Sequence, residues 1–202
     1  MRDFINVDRY LNELTGDIYA QPPDEGHTDR ARLIINKWIP NLDPCETVLD
    51  VGCGQGFTSF MFQHLGKTWE GVTLGQDYVR CVELGLNVKN ADMTFLPHEN
   101  DSFHLIFARH VLEHSPMPLL TLMEWHRVSS NWLCVVSPTP DYWGTIGKNH
   151  YSVVHAQTLK WLLQRAGWYV IWEDLDDTSE IRLMCQKIVR DVSKPLLVGS
   201  TT

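Results

Sequence analysis

A chain of 202 residues, 44% hydrophobic and 21% charged, has the size and composition of one packed domain, which excludes a repeat or disordered protein. Its formal net charge of −8 disfavours binding to nucleic-acid phosphates or to anionic membrane surfaces. The sequence has neither a signal-peptide pattern nor the roughly 20 consecutive apolar residues that span a bilayer, so we expect a cytoplasmic protein without a membrane partner.

The first 40 residues precede the first predicted strand and are interpreted as a helical cap. An apolar pattern within residues 4–14 predicts a helix, which either folds back across a ligand cleft or only stabilises the fold. A second helix is predicted at 28–38. We expect a single domain, with a core at 45–190 and a tail at 191–202.

From Thr47 onward, short apolar segments alternate with amphipathic helices, a pattern that is typical of βαβ units and a parallel sheet. The first five strands are apolar throughout, as strands covered on both faces should be, and the last two are predicted to form a hairpin. The seven predicted strands are 47–51, 68–73, 88–91, 103–108, 132–137, 168–173 and 181–188. The predicted helices are 57–65, 76–84, 116–128 and 156–166, and Gly167 is predicted to end the last one.

The most informative segment is VLDVGCGQGF at 48–57, which runs from a buried strand through three alternating glycines into a helix. Glycine allows positive φ and close approach of the backbone, so the loop is predicted to contact a flat or anionic ligand. In open α/β sheets such ligands lie beyond the carboxyl ends of the strands, where this loop belongs. The third glycine of the dinucleotide motif G-x-G-x-x-G is missing, because Phe57 or Ser59 takes its place.

With D-V-G-C-G-Q-G at 50–56, the chain resembles the class I S-adenosylmethionine-dependent methyltransferases over 47–173. The segments LIFARHVLEH at 105–114 and NHYS at 149–152 resemble the small-molecule branch, often labelled type 11. The resemblance implies a Rossmann-like α/β fold whose mostly parallel, seven-stranded sheet has the order 3-2-1-4-5-7-6 and an antiparallel last strand. It also implies S-adenosylmethionine as cofactor and methyl transfer to a small molecule or a protein side chain.

The resemblance further implies which residues contact the cofactor. Asp92, after the third strand, would accept a hydrogen bond from the adenine amino group, with Met93 beside the ring. Thr73 stands where the family usually has an acid for the ribose, so we expect ribose binding to depend on Thr73, nearby amides and Gln76 or Asp77. The complete predicted set is Asp50, Gly52, Cys53, Gly54, Gly56, Phe57, Thr73, Leu74, Asp92, Met93 and Arg109.

Methyl transfer needs alignment of the reactants, exclusion of water and, for a weak nucleophile, a base. His110 and His150 are the candidate bases, because both are expected at the border of the cleft and imidazole titrates near neutral pH. For each, the alternative is a purely positional role. Tyr142, Trp143 and Tyr151 are candidates for the wall of the acceptor site.

Two other functions compete with this interpretation. His110-Val111-Leu112-Glu113-His114 fits the zinc-peptidase pattern H-x-x-E-H, but that site needs a helix through both histidines, and two prolines follow directly. We therefore expect no metal ion. A non-catalytic module that binds S-adenosylmethionine stays open because Thr73 replaces the usual acid. Ala-Arg-His at 108–110 lacks the signatures of DNA-base methyltransferases, so we expect no nucleic-acid partner, and no obligate protein partner is inferred.

Overall fold

The computed structural model describes residues 5–15, 24–143, 149–175 and 179–188. The strands are β1 (Thr47–Val51), β2 (Thr68–Thr73), β3 (Val88–Asn90), β4 (Phe103–Arg109), β5 (Ser129–Pro138), β6 (Trp168–Asp174) and β7 (Glu180–Lys187). The helices are α1 (Ile5–Thr15), α2 (Glu25–Trp38), α3 (Ser59–His64), α4 (Gly75–Glu83), α5 (Pro118–Val128), α6 (Pro140–Trp143) and α7 (Ala156–Ala166). The predicted tail at 191–202 lies outside the described residues, and the division into cap, core and tail stays a prediction.

The seven strands form one sheet in the order β3-β2-β1-β4-β5-β7-β6. Neighbours from β3 to β5 pair in parallel, whereas β7 is antiparallel to both β5 and β6. The predicted fold class, strand order and hairpin are therefore confirmed. From β1 the strand order runs outward to β3 on one side, and the chain then returns to place β4 on the other side of β1. This reversal between β1 and β4 leaves a crevice at the carboxyl ends of the two strands.

Both faces of the sheet are buried, which explains the continuous apolar strands. Along β1, Val48 packs into the layer that contains α2 and α3, and Leu49 packs into the opposite layer with α5 and α7. This alternation follows from the two-residue period of a strand. Trp125 of α5 and Phe62 of α3 are the largest fully buried helix residues on the two sides.

The end of α7 follows the prediction, whereas the starts of several helices differ from it. Gly167 ends α7 with φ of 100°, as predicted. Helix α2 starts three residues before the predicted position, because the Asp24 carboxylate caps it by accepting from the His27 amide at 2.9 Å. Helix α5 begins at Pro118, two residues after the predicted start at 116. The Ser115 hydroxyl accepts a hydrogen bond from the Met117 amide, which precedes the helix. Among the described residues, no helix is long and apolar enough to cross a membrane.

Candidate functional site

A cavity opens at the carboxyl ends of β1, β2 and β4, where the sequence predicted a ligand. The residues that line it are Val51, Gly52, Gly54, Val72, Thr73, Leu74, Asp77, Ala91, Met93, His110, Val111, His114 and Asn149. The predicted contacts Gly52, Gly54, Thr73, Leu74 and Met93 therefore come together at this cavity.

The glycine loop is held tightly between two neighbouring segments. The amide of Gly52 donates to the Val72 carbonyl at 2.8 Å. Gly52 has φ of 70°, and a Cβ atom added to it would lie 2.2 Å from Cγ2 of Val111. Cys53 and Phe57 pack into the apolar layer behind the loop, so their contribution is to support the loop from behind.

Asp50 is a buried residue that connects β1 to the start of α3 and to β2. Its carboxylate is 3% exposed and accepts hydrogen bonds from the Thr58 hydroxyl and from Nε1 of Trp69, the latter at 3.2 Å. Burial raises the pKa of Asp50 to about 7, although these two hydrogen bonds oppose the rise. The direct cofactor contact predicted for Asp50 is thus replaced in this geometry by a connection between β1 and the start of α3.

The raised pKa of Asp50 predicts a specific pH dependence of stability. In the unfolded chain the carboxyl ionises near pH 4, before it does so in the folded protein, so its burial destabilises the fold increasingly as the pH rises towards 7. Asp50→Asn stays neutral and keeps an oxygen acceptor. We expect the free energy of unfolding of this variant, relative to wild type, to rise by roughly 2–4 kcal/mol between pH 4 and pH 8.

Urea denaturation across that pH range measures this difference. The matched control is Asp29→Asn, because Asp29 is a surface residue whose side chain is 65% exposed. Its stability profile should run parallel to that of wild type. A parallel profile for Asp50→Asn as well would contradict the raised pKa.

A second cavity adjoins the first, and the predicted adenine contact Asp92 lines it. The Asp92 carboxylate accepts from the Thr94 amide at 2.6 Å, which orients it beside Met93. Leu11 and Leu14 of α1 also line this cavity, so the predicted amino-terminal helix does fold back across the cleft. The residues shared by the two cavities are Leu74, Met93, His114 and Asn149.

A buried cluster of charges, centred on Glu180, lies at the start of β7. The Glu180 carboxylate is 1% exposed and accepts from Arg109 at 2.7 Å, His110 at 2.8 Å and Arg182 at 2.9 Å, with Arg30 of α2 at 3.9 Å. Burial alone raises the pKa of Glu180, but the hydrogen bond from His110 and the charge of Arg109 hold it well below its usual range. Arg109, predicted to contact the cofactor, is directed into this cluster instead.

His110 is the first residue after β4 and is fixed between two carboxylates. Its Nε2 lies 2.8 Å from Glu180 and its Nδ1 lies 3.3 Å from Glu113, while its ring stacks on His27 of α2 at 5.8 Å. Burial lowers the pKa of His110, yet the hydrogen bonds with Glu113 and Glu180 outweigh burial and raise it. Each ring nitrogen is engaged by a carboxylate, so neither is available to take a proton from an acceptor, and the geometry favours a positioning role.

The loop at 149–152 is tied to the segment after β4 by backbone hydrogen bonds. The amides of Tyr151 and Ser152 donate to the carbonyl of Glu113 at 2.7 Å and 2.9 Å, and the Ser152 hydroxyl donates to the carbonyl of Ser115. These contacts bring two sequence-distant segments together beside the cavity. Tyr151 lines the second cavity, whereas the side chains of Tyr142 and Trp143 lie outside the described residues.

His114 and His150 form the polar end of the site. Nδ1 of His114 lies 3.2 Å from the carbonyl of Asn149. The rings of His114 and His150 are in an edge-to-face arrangement, with 4.9 Å between their centroids. Burial lowers the pKa of His114, so this ring is neutral near pH 7. His114 lines both cavities and His150 lies behind it.

The zinc-peptidase interpretation of H-x-x-E-H does not fit this geometry. Residues 112–114 form a 3₁₀ helix of three residues rather than an α-helix through both histidines. His110 is also engaged with Glu113 and Glu180. The cavity role of His114 was missed from the sequence, where its only signal was this motif.

Comparison with known proteins supports the predicted family. Residues 49–131 match a family model described as a methyltransferase domain. No curated protein matches the sequence significantly. The matched segment contains the glycine loop and most of the residues that line the first cavity.

Solved structures with the same fold include three that cover most of this chain. A structure of a SAM dependent methyltransferase from Archaeoglobus fulgidus has a TM-score of 0.65 at 17% identity, covering 79% of this chain and 94% of its own. A putative methyltransferase from Haloferax volcanii, solved with the Trm112 methyltransferase activator, has a TM-score of 0.65 at 15% identity, covering 82% and 95%. The [4+2]-cyclase SpnF has a TM-score of 0.68 at 18% identity, covering 93% and 94%.

Proposed function

We propose that this chain, an S-adenosylmethionine-dependent methyltransferase by the family match of its residues 49–131 and by its fold, methylates a small-molecule acceptor. The observation that carries the proposal is the cavity at the strand ends, where the glycine loop, Thr73 and Met93 meet two histidines.

The lining of the cavity fits the chemical groups of the cofactor. The apolar side chains of Leu74, Ala91 and Met93 suit a flat adenine ring. Thr73 and the carboxylate of Asp77 suit the ribose hydroxyls, so Asp77 supplies the charged acceptor that the end of β2 lacks. The glycines at 52 and 54 allow close backbone approach to the methionine part.

Bound S-adenosylmethionine supplies an electrophilic methyl group, to which the acceptor's lone pair bonds as the carbon–sulfur bond breaks and its electron pair stays on sulfur. The protein's contribution is to align the reactants and exclude water. Helix α1 covers the cleft with Leu11 and Leu14. Neutral His114 faces the cavity and is the favoured proton acceptor, while His150 stays a candidate and His110 is proposed to hold Glu113 and Glu180 in place.

A small-molecule acceptor is favoured over a polymer. Leu11 and Leu14 of α1 line one side of the second cavity and reduce the space open to a large polymer, and the net charge of −8 repels nucleic acid. The neighbour from Haloferax volcanii was solved with an activator protein. We propose that this chain turns over without such a partner, and an assay of the purified chain alone tests this.

The proposed function is tested by calorimetric titration with S-adenosylmethionine, followed by measurement of S-adenosylhomocysteine release with a panel of small hydroxyl, amine and thiol acceptors. We expect one cofactor per chain and no binding of NADH. Binding without product on any acceptor would favour the non-catalytic module. Failure to bind S-adenosylmethionine would overturn the proposal.

Asp77→Asn tests the ribose contact. Replacing a charged acceptor by a neutral amide removes a charge-assisted hydrogen bond, so we expect the dissociation constant for S-adenosylmethionine to rise about 10- to 100-fold, equivalent to roughly 1.5–3 kcal/mol. Asp29→Asn, on the exposed face of α2, is the control and should bind as wild type does. Equal affinities of the two variants would show that Asp77 does not contact the ribose.

A further inference from the structure

Three potential metal ligands meet beside the cavity. Glu113, His114 and His150 each present one ligand atom, and these atoms lie within 4.8 Å of one another. A metal about 2.0–2.2 Å from nitrogen and oxygen ligands leaves those ligand atoms roughly 3–4 Å apart. Small side-chain adjustments therefore suffice to bring all three onto one ion.

Within the part of the chain that the structure describes, two buried atoms of this cluster have no hydrogen-bond partner. These are Oε2 of Glu113, in a side chain that is 1% exposed, and Nδ1 of His150. Leaving a buried polar atom unpaired costs about 1–3 kcal/mol, and more for a charged group. Two such atoms in one cluster indicate that the site is built to bind something that accepts lone pairs.

The surroundings orient the three side chains as ligands. The contact of His114 Nδ1 with the Asn149 carbonyl places the proton on Nδ1 and leaves a lone pair on Nε2. His110 holds Oε1 of Glu113 at 3.3 Å, so Oε2 is the free oxygen. The backbone bonds from Tyr151 and Ser152 to Glu113 fix the loop that carries His150.

We propose that Glu113, His114 and His150 bind one divalent transition-metal ion at the edge of the cofactor cavity. Two imidazoles and one carboxylate suit ions such as Zn²⁺ or Mn²⁺ better than Mg²⁺, which prefers oxygen ligands and keeps its waters. This ligand set differs from the H-x-x-E-H pattern, because His110 is a partner of Glu113 and the third ligand comes from the loop before α7. The site also departs from the expectation that no metal is present.

With three protein ligands, the ion keeps open positions for the acceptor, because His114 faces both cavities. This role rests on the proposed function, whereas the site itself rests only on the cluster. Coordination lowers the pKa of an acceptor hydroxyl, whose proton then passes to solvent. The new oxygen–carbon bond forms as the carbon–sulfur bond breaks, so a hydroxyl acceptor needs no separate base. With the ion bound, His114 is a metal ligand and no longer the proton acceptor, a role that it has only in the metal-free site.

The experiment is equilibrium dialysis of the purified full chain, stripped with a chelator, against Zn²⁺, Mn²⁺ or Mg²⁺. We expect one Zn²⁺ or Mn²⁺ per chain and at least tenfold weaker Mg²⁺ binding. His114→Asn and His150→Asn should each weaken Zn²⁺ binding at least tenfold. The matched control is His64→Asn, because His64 is exposed at the end of α3 and should leave binding unchanged.

Thermal unfolding checks that each variant is folded. If His114→Asn does not fold, His150→Asn alone tests the site. Absence of stoichiometric Zn²⁺ and Mn²⁺ binding by wild type, or unchanged binding by the folded histidine variants, overturns the metal site. Titration of the stripped chain with S-adenosylmethionine separates the two proposals: cofactor binding without metal binding overturns only the site, and metal binding without cofactor binding overturns only the proposed function.

Discussion

Glu180→Gln is expected to lower the free energy of unfolding at pH 7 by about 3–5 kcal/mol, the usual effect of removing one partner from a buried ion pair. The glutamine fits the same space, but it removes the anion that pairs with the buried Arg109 and one of the two carboxylates that pair with Arg182. His110 also loses one of its two carboxylate partners, so its pKa should fall. Urea denaturation measures the first effect, and NMR titration of the imidazole measures the second.

The stability difference should depend on pH in a defined direction. Because the pKa of Glu180 is lowered in the folded state, its stabilising effect is present above the ordinary glutamate pKa and is lost as the pH falls towards the folded value. The difference in the free energy of unfolding between wild type and Glu180→Gln should therefore be largest near pH 7 and should become smaller below pH 4. A constant gap across this range would show that charge is not the cause.

Glu173→Gln is the matched control, since it removes a carboxylate that is 48% exposed and pairs with Lys160 at the surface. Exposed pairs of this kind contribute about 0–1 kcal/mol. A loss in this control as large as that in Glu180→Gln would mean that burial of the cluster is unimportant.

What the sequence predicted well is what local pattern determines. The glycine loop, the strand order and the end of α7 at Gly167 depend on neighbouring residues or on a family motif, and the structure confirms them. The cofactor contact of Asp50 stays a prediction that was based on its position near the strand end. By the two-residue period of the strand, Asp50 lies on the same face as Val48, and its carboxylate bonds to Trp69.

What the sequence could not predict depends on contacts between distant segments. Arg109 and Glu180 are 71 residues apart and meet because β5 and β7 place the start of β7 near the end of β4. His114 and the loop at 149–152 meet through backbone bonds to Glu113 and through the contacts of His114 with Asn149 and His150. The spacing of residues along the sequence indicates neither pairing. The polar contacts of the site therefore become known only from the folded structure.

Gly52→Ala is expected to reduce affinity for S-adenosylmethionine at least tenfold and to lower the free energy of unfolding by about 2–5 kcal/mol, from left-handed backbone strain and overpacking. The added Cβ would lie 2.2 Å from Cγ2 of Val111, and both residues line the cavity. Either the loop or Val111 must move, and each movement reshapes the surface that meets the cofactor. Calorimetry and urea denaturation measure the two effects.

Two further variants separate the effect of the steric overlap with Val111 from the effect of backbone strain. Gly85 has φ of 69° and no atom within 4 Å of an added Cβ, so Gly85→Ala should show strain alone, about 1–2 kcal/mol, with unchanged cofactor affinity. Adding Val111→Ala to Gly52→Ala removes the overlapping atoms and should restore part of the lost affinity. If Gly52→Ala behaved like Gly85→Ala in both measurements, the close packing of the loop against Val111 would have no bearing on cofactor binding.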